Sequence, residues 1–303
     1  MKSPVTKLIH QQPSMKTLSI IIPHFNSPKM LDKLLQSIPN EPWISIIVVD
    51  DNSTLKPNQS NRDNLHFYTL PADRKGAGAA RNLGLNNTHS DWVLFADADD
   101  FFVEEAFTHI EQEMNNEQDC CYFLPTSLNI EAQQTGTRHQ CYKNLLLNYQ
   151  TTKNKTLLYK FFVPWSKLIS TQFIKKHNIQ FDEIIASNDM NFSFKVAYFA
   201  QKSHASSNAI YCVTESCNSL TKQTTEAVLD SRFYAAGKYN DFCQNHELMQ
   251  YQLGMAQYIY LGRKFGTKKV FSMIKHCLKH GYPLSRGLKP LFNAIKKDIF
   301  NKK

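Results

Sequence analysis

Asp97-Ala98-Asp99-Asp100 sets three carboxylates within four residues, directly behind the apolar run from Trp92 to Ala96. Charges this close repel one another unless a cation or hydrogen-bond donors neutralise them. Hard oxygen ligands of this kind suit Mg²⁺ or Mn²⁺, in a site where the ion bridges to a diphosphate rather than sitting in an all-protein cage. Such an ion stabilises charge that builds on a departing nucleoside diphosphate. The same residues also read as a solvated turn, with Asp99 or Asp100 capping a helix that begins near Val103.

An earlier segment repeats the theme. Asp50-Asp51-Asn52-Ser53 follows the apolar segment Ile44 to Val49. A carboxylate there can accept the imide N–H of a uracil, and an Asx-turn closing a strand would use the same residue types. Gly76-Ala77-Gly78-Ala79-Ala80-Arg81-Asn82 offers small residues for close backbone approach and one arginine for a phosphate. It is not the dinucleotide fingerprint, because the third glycine is missing and no strand ends immediately before it. A helix start packed closely on a sheet is its structural alternative.

These segments need elements to bring them together. Leu18 to Ile22, Ile44 to Val49, His66 to Leu70, Trp92 to Ala96 and Cys120 to Leu124 read as buried strands, rich in β-branched and aromatic residues. Ser27-Pro28 marks a helix start, and Met30, Leu31, Leu34, Leu35 and Ile38 continue it at helical spacing. Shorter helical segments run through Leu83 and Leu85 and from Val103 to Met114. Alternating strands and helices predict an α/β fold with a mostly parallel, twisted sheet flanked by helices, and ligands in such sheets bind beyond the carboxyl ends of the strands. Two of those ends carry the acidic clusters. Thr126 to Cys141 reads as a hairpin or excursion, Thr171 to His177 and Asn188 to Phe199 as helices, and the chain after Thr224 as helical to its end.

In order and spacing, Leu18 to Asn26 (LSIIIPHFN), Val48 to Ser53 (VVDDNS), Gly76 to Gly84 (GAGAARNLG) and Phe95 to Asp100 (FADADD) resemble the successive blocks of the family 2 glycosyltransferases. The resemblance spans roughly residues 18 to 222. It implies a GT-A fold, a nucleoside-diphosphate sugar donor (a UDP-sugar first), a divalent metal, Mn²⁺ or Mg²⁺, and inversion at the anomeric carbon. It places Pro23, Phe25, Asn26, Asp51, Gly76, Arg81 and Asp97 on the nucleotide-sugar side, with Pro23 and Phe25 lining the base pocket, Asp51 bonding the base and Arg81 near the phosphates. Asp99 and Asp97 match the metal-binding D-x-D pair, Asp99 as the direct ligand, with Asp100 as a second ligand or a cap.

Further along, Pro164-Trp165-Ser166-Lys167-Leu168 resembles the stretch that precedes the acceptor-side catalytic segment. Asn188-Asp189 falls where the family commonly has Glu-Asp, so Asp189 matches the general base, while Asn188 departs from the pattern. Glu183 is the alternative base. Trp165 and Asn188 are expected on the acceptor side, Trp165 by stacking on a sugar or, alternatively, as a core anchor. Tyr211 and Lys222 flank a closing segment. The resemblance most often implies a role in bacterial surface-polysaccharide assembly (capsule, lipopolysaccharide or O-antigen), with a saccharide or lipid-linked saccharide acceptor.

The chain of 303 residues carries a formal charge of +9, and from Ser231 onward 14 Lys and Arg face 3 Asp and Glu. Residues 288–299 set Leu288, Leu291, Phe292, Ile295 and Ile299 among lysines, a cationic amphipathic pattern suited either to an anionic bilayer or to packing on the rest of the protein. No nucleic-acid module is recognisable, and nucleic acid is not an expected partner. Seven cysteines, Cys120 and Cys121 adjacent and the others scattered without C-x-x-C spacing, point to reduced thiols rather than a zinc site. No segment reads as a signal peptide or a spanning helix, so a cytoplasmic place follows, peripheral on the inner face of the membrane if the basic region binds lipid. The expected division is an extension over 1–16, a GT-A domain over 17–223 (nucleotide-sugar half about 17–125, acceptor half about 126–223) and a basic helical region over 224–303. A sugar nucleotidyltransferase is the other enzyme reading, disfavoured because Pro23-His24-Phe25-Asn26 lacks a Gly-rich phosphate loop. A catalytically degenerate saccharide- or nucleotide-binding protein on the same fold is the reading from a different class.

Overall fold

The computed structural model describes residues 15–58, 62–215, 225–286, 291–292 and 294–296. Its first half is a parallel block in which β3 (Leu65–Thr69), β2 (Ile44–Asp50), β1 (Leu18–His24) and β4 (Trp92–Phe95) lie side by side. β1, β2 and β4 are almost wholly buried, which is why their sequences are continuous apolar runs instead of alternating ones. Helices α1 (Pro28–Gln36) and α2 (Gly76–Asn86) cover this block. α1 starts with the expected proline and buries Leu31, Leu34 and Leu35.

β1 runs two residues past Ile22, through Pro23 and His24, paired to β2 as far as Asp50. On its other side, pairing to β4 stops at Ile21 and Phe95. Pro23 therefore lies beyond the end of that ladder, where a missing N–H is tolerated. β1 and β4 part at this point, at the carboxyl edge where such sheets bind their ligands.

The second half makes the sheet mixed. β8 (Lys167–Ser170) sits antiparallel between β4 and β6 (Cys120–Asn129), and β9 (Ser203–Glu215) runs parallel to β6. Among the described residues nine strands form one sheet, ordered β3-β2-β1-β4-β8-β6-β9-β5, with β7 (Gln134–Thr135) paired to the end of β6. The excursion expected over residues 126–141 is thus the end of β6, a short hairpin through β7 and the start of α4 (Gln140–Thr152). The helix expected from Val103 begins later, as α3 (Ala106–Met114). β5 (Phe101–Phe102) pairs with β9, and the Val103 N–H donates to the Ile210 carbonyl, so the chain stays extended there.

α5 (Thr171–Lys176) and α6 (Met190–Phe199) follow, α6 almost entirely buried. Then come α7 (Glu226–Asn245), α8 (Ala256–Gly262) and α9 (Thr267–His280). α7 is fastened to the sheet-bearing part. Asn191 donates to the Ala235 carbonyl, Lys238 pairs with Asp182, and the rings of Phe194 and Tyr239 lie 4.2 Å apart. Most of the amphipathic segment expected over residues 288–299 lies outside the described residues, as does Lys222. Among the described residues no helix is long and apolar enough to cross a membrane.

Candidate active site

Asp97 stands where β4 leaves β1. Its backbone N–H donates to the Tyr211 hydroxyl of β9 at 2.7 Å, and its Oδ1 accepts from Arg81 Nη2 at 2.5 Å. Arg81 projects from α2, is buried, and donates through Nη1 to Asn188 Oδ1 at 2.8 Å. Its guanidinium lies 5.3 Å from the centre of the Phe181 ring. One arginine therefore joins the acidic motif of the first half to the segment carrying Asp189. It can do so because α2 comes very close to that segment. A Cβ on Gly78 would stand 2.1 Å from the Asp182 carbonyl oxygen and 3.1 Å from the Asn188 Cβ.

Asp99 and Asp100 cap nothing, since the N-cap position of α3 is Glu105, held in left-handed backbone. The Asp99 carbonyl accepts from Thr214 Oγ1 at 2.7 Å and its side chain reaches solvent. Asp100 is buried. Its Oδ1 accepts the Thr214 N–H at 2.8 Å, and its Oδ2 has no hydrogen-bond partner among the described residues. Partial desolvation by the neighbouring protein, then the charge of Asp97, pushes the Asp99 carboxyl above the ordinary range.

Among the described residues no three His, Cys, Asp or Glu side chains converge on a metal position. Asp97 and Asp99 nevertheless fit an ion that takes one or two carboxylates from the protein and the rest of its ligands from a diphosphate. Their mutual repulsion is what a divalent cation offsets.

The second acidic segment divides its labour. Asp50 is buried and belongs to the framework: His24 Nδ1 lies 3.0 Å from its Oδ1, while Lys56 Nζ at 2.8 Å and the Ser53 N–H at 3.3 Å reach Oδ2. Burial raises its carboxyl, but these bonds outweigh that and hold it below the usual range. Asp51 Oδ2 accepts the N–H of Gly76 at 2.8 Å, which draws the start of α2 to the end of β2. Gly76 has φ of +89°, a backbone state that favours glycine. Asn26 Oδ1 accepts from the Thr54 and Leu55 N–H groups at 2.8 and 2.9 Å and from the Thr54 hydroxyl, so it ties the 53–55 loop down. Pro23 is half-buried at the carboxyl end of β1, and Phe25 is 60% exposed.

Asp189 stands at the start of α6, and no capping hydrogen bond from its side chain holds the helix. Burial raises its carboxyl, with Asp97 adding to the effect and Arg81 and Lys167 opposing it. Glu183 is placed differently. It pairs with Arg74 through both carboxylate oxygens and accepts from Asn82 Nδ2 at 3.0 Å, and the Arg74 bonds hold it below the ordinary range.

Trp165 is corrected by the structure. It is 1% exposed, its ring stacked 6.2 Å from Tyr211 and edge-on to Tyr142 at 5.3 Å, so it presents no face to a sugar. It is a core anchor beneath the site.

Two further residues join the site: Lys167, to which sequence reasoning gave no role, and Tyr211, which it placed on a closing segment near the donor phosphates. Lys167 is fully buried, donates to the Phe161 carbonyl at 2.8 Å and is drawn down to about 7 by that burial. The Tyr211 hydroxyl fixes the Asp97 backbone, a contact across 114 residues. Lys167 was signalled only by its block of sequence, and Tyr211 by its place on the closing strand.

With this geometry in view, the comparisons with known proteins are specific. The family described as Glycosyl transferase family 2 matches residues 19–177. The poly(ribitol-phosphate) β-N-acetylglucosaminyltransferase TarS of Staphylococcus aureus is 26% identical over 213 residues, 66% of this chain and 36% of its own length. A GalNAc(5)-diNAcBac-PP-undecaprenol β-1,3-glucosyltransferase of Campylobacter jejuni is 30% identical over 109 residues, 33% of this chain and 35% of its own. The chain thus spans about a third of the length of these curated relatives. Residues 1–349 of S. aureus TarS in complex with UDP-GlcNAc superpose with a TM-score of 0.60 at 21% identity, over 85% of this chain and 75% of that one. That likeness bears out the expected GT-A fold.

Proposed function

The chain belongs to glycosyl transferase family 2, and from that premise we propose that it moves a sugar from a UDP-sugar to a hydroxyl of a saccharide or lipid-linked saccharide, with inversion, in bacterial surface-polysaccharide assembly. The observation that carries this reading is the Arg81 bridge, which joins Asp97 of the D-x-D pair to Asn188, next to the raised carboxyl of Asp189. The two relatives named above act on a polyol-phosphate polymer and on an undecaprenyl-linked glycan by their names, and both support a surface-glycan acceptor.

On this reading Phe25 and Pro23 hold the base and Asp51 bonds it, with Asn26 and Gly76 shaping the backbone around it. A divalent metal on Asp99 and Asp97 would stabilise charge on the departing diphosphate. Asp189 takes the proton of the acceptor hydroxyl as that oxygen attacks the anomeric carbon from the face opposite the leaving group. Its raised affinity for protons makes it a stronger base than an ordinary aspartate. Arg81 is a positioning residue, holding Asn188, and with it the neighbouring Asp189, against the Asp97 side. Glu183, tied to Arg74, anchors the same segment. In the same reading a nucleotide-sugar half spans about 17–125, an acceptor half about 126–223, and a basic helical region over 224–303 meets an anionic membrane on its cytoplasmic face.

The test is transfer itself. The protein is incubated with UDP-GlcNAc and other labelled UDP-sugars and with short saccharide and polyol-phosphate acceptors, and the anomeric configuration of the product is read by NMR. An inverted glycoside is expected. A retained configuration contradicts the single displacement, and absence of product from every nucleotide sugar contradicts transfer.

A further inference from the structure

α9 has two unlike faces. Inward, Met273 and Cys277 are buried, and Met273 packs against Gly262 of α8. Lys269 also points inward, pairing with Glu226 at 3.0 Å and Asp230 at 2.5 Å on α7. The opposite side carries Phe271 at 70% exposure and Leu278 at 68%, seven residues apart, with Ile274 half-exposed between them. Beside this apolar ridge run Lys268, Lys275 and Lys279, all exposed. Successive residues advance by about 100° around a helix, so the two rows lie next to each other on one outward surface.

The composition of the surrounding chain has one sign. Between Glu247 and Asp298 the sequence holds ten Lys and Arg and no acidic residue. A protein partner of ordinary surface would meet the exposed charges of Lys268, Lys275 and Lys279 here, whereas an anionic lipid surface complements them along the helix. Large apolar side chains bordered by lysines are the composition of a helix lying in the headgroup layer.

We propose that the outward face of α9 is a membrane-docking surface: Phe271, Ile274 and Leu278 enter the headgroup–acyl boundary while Lys268, Lys275 and Lys279 pair with anionic lipid phosphates. The proposal gives a defined surface to the membrane contact suggested above for the C-terminal region. It does not depend on residues 288–303, nor on the protein being an active transferase.

The experiment is vesicle co-sedimentation of the full chain, with phosphatidylcholine vesicles with and without phosphatidylglycerol, and no nucleotide or acceptor present. Wild-type protein is expected to bind only the anionic vesicles, and less as salt is raised. Each lysine at such a surface contributes about fivefold in partitioning, so Lys268→Gln, Lys275→Gln and Lys279→Gln together should weaken binding by about a hundredfold. The matching triple arginine variant should bind like wild type. Phe271→Ser with Leu278→Ser should also release the protein, with its circular-dichroism melt unchanged because both side chains already face water. The proposal is overturned if the wild type ignores anionic vesicles, or if both α9 variants bind as the wild type does, which assigns the contact to another segment. A concentration-dependent dimer broken by Phe271→Ser, without vesicle binding, assigns the face to a second copy. Asp99→Ala serves as the separate control, since a fault in the catalytic reading alone leaves vesicle binding intact.

Discussion

Arg81 Nη2 lies 2.5 Å from Asp97 Oδ1, and the same guanidinium reaches Asn188 Oδ1 with its other terminal nitrogen. The pair is largely buried, with the arginine side chain at 6% exposure and the aspartate at 27%. Through it, an ion pair between α2 and the end of β4 also sets where the segment before α6 lies.

Arg81→Met removes the charge while keeping the length. Breaking a mostly buried pair by deleting one partner leaves Asp97 uncompensated, and a loss of about 3 kcal/mol is expected in urea unfolding. Arg81 also holds the Asp189 carboxyl down. Without it that carboxyl rises, so the ascending limb of the pH–rate profile should move to higher pH. A limb that stays in place would separate Arg81 from the base.

Asp189 and Glu183 can be told apart by substitution. Asp189→Asn deletes the base and should lower turnover by about 10²- to 10⁴-fold while nucleotide binding is retained. Because Asp189 must be ionised to act, turnover in the wild type should rise with pH through a value above that of an ordinary aspartate. Glu183→Gln should cost turnover less than about tenfold, since Glu183 is occupied by Arg74 and held ionised. Equal losses in the two variants, read in the same steady-state assay, would move the base role.

Gly78→Ala tests the close approach between α2 and the Asp182–Asn188 segment. The added methyl would lie 2.1 Å from a backbone oxygen, so helix or loop must shift. Overpacking of this kind costs about 1–3 kcal/mol. A lower melting temperature is expected, with a fall in turnover as Asn188 moves off Arg81. An unchanged melt would show that the two elements are freer than their contact implies.

How much of this was legible in the sequence depended on how local the information was. β1, β2 and β4 are buried on both faces, so each is a continuous apolar run, and the acidic residues at their ends could be placed from topology alone. β5 could not be foreseen. It is two residues long and exists only because β9, more than a hundred residues later, pairs with Phe101 and Phe102. The antiparallel insertion of β8 has the same cause, since Lys167–Ser170 carries no sign of strand direction. Asn26 and Trp165 show a further limit. Their blocks mark where the chain passes the site, but Asn26 ties down its neighbouring loop and Trp165 faces the core against Tyr211. Spacing along a chain locates a segment without orienting each of its side chains.

In the proposed function Asp97 and Asp99 bind a metal–nucleoside diphosphate beyond the carboxyl ends of β1 and β4. Calorimetric titration of UDP into the purified protein tests it, in Mn²⁺ and then in EDTA, for the wild type and for Asp99→Ala. Binding by the wild type in Mn²⁺, lost in EDTA and lost in Asp99→Ala, is the predicted result. Equal binding of UDP by both proteins, with or without the metal, would contradict it.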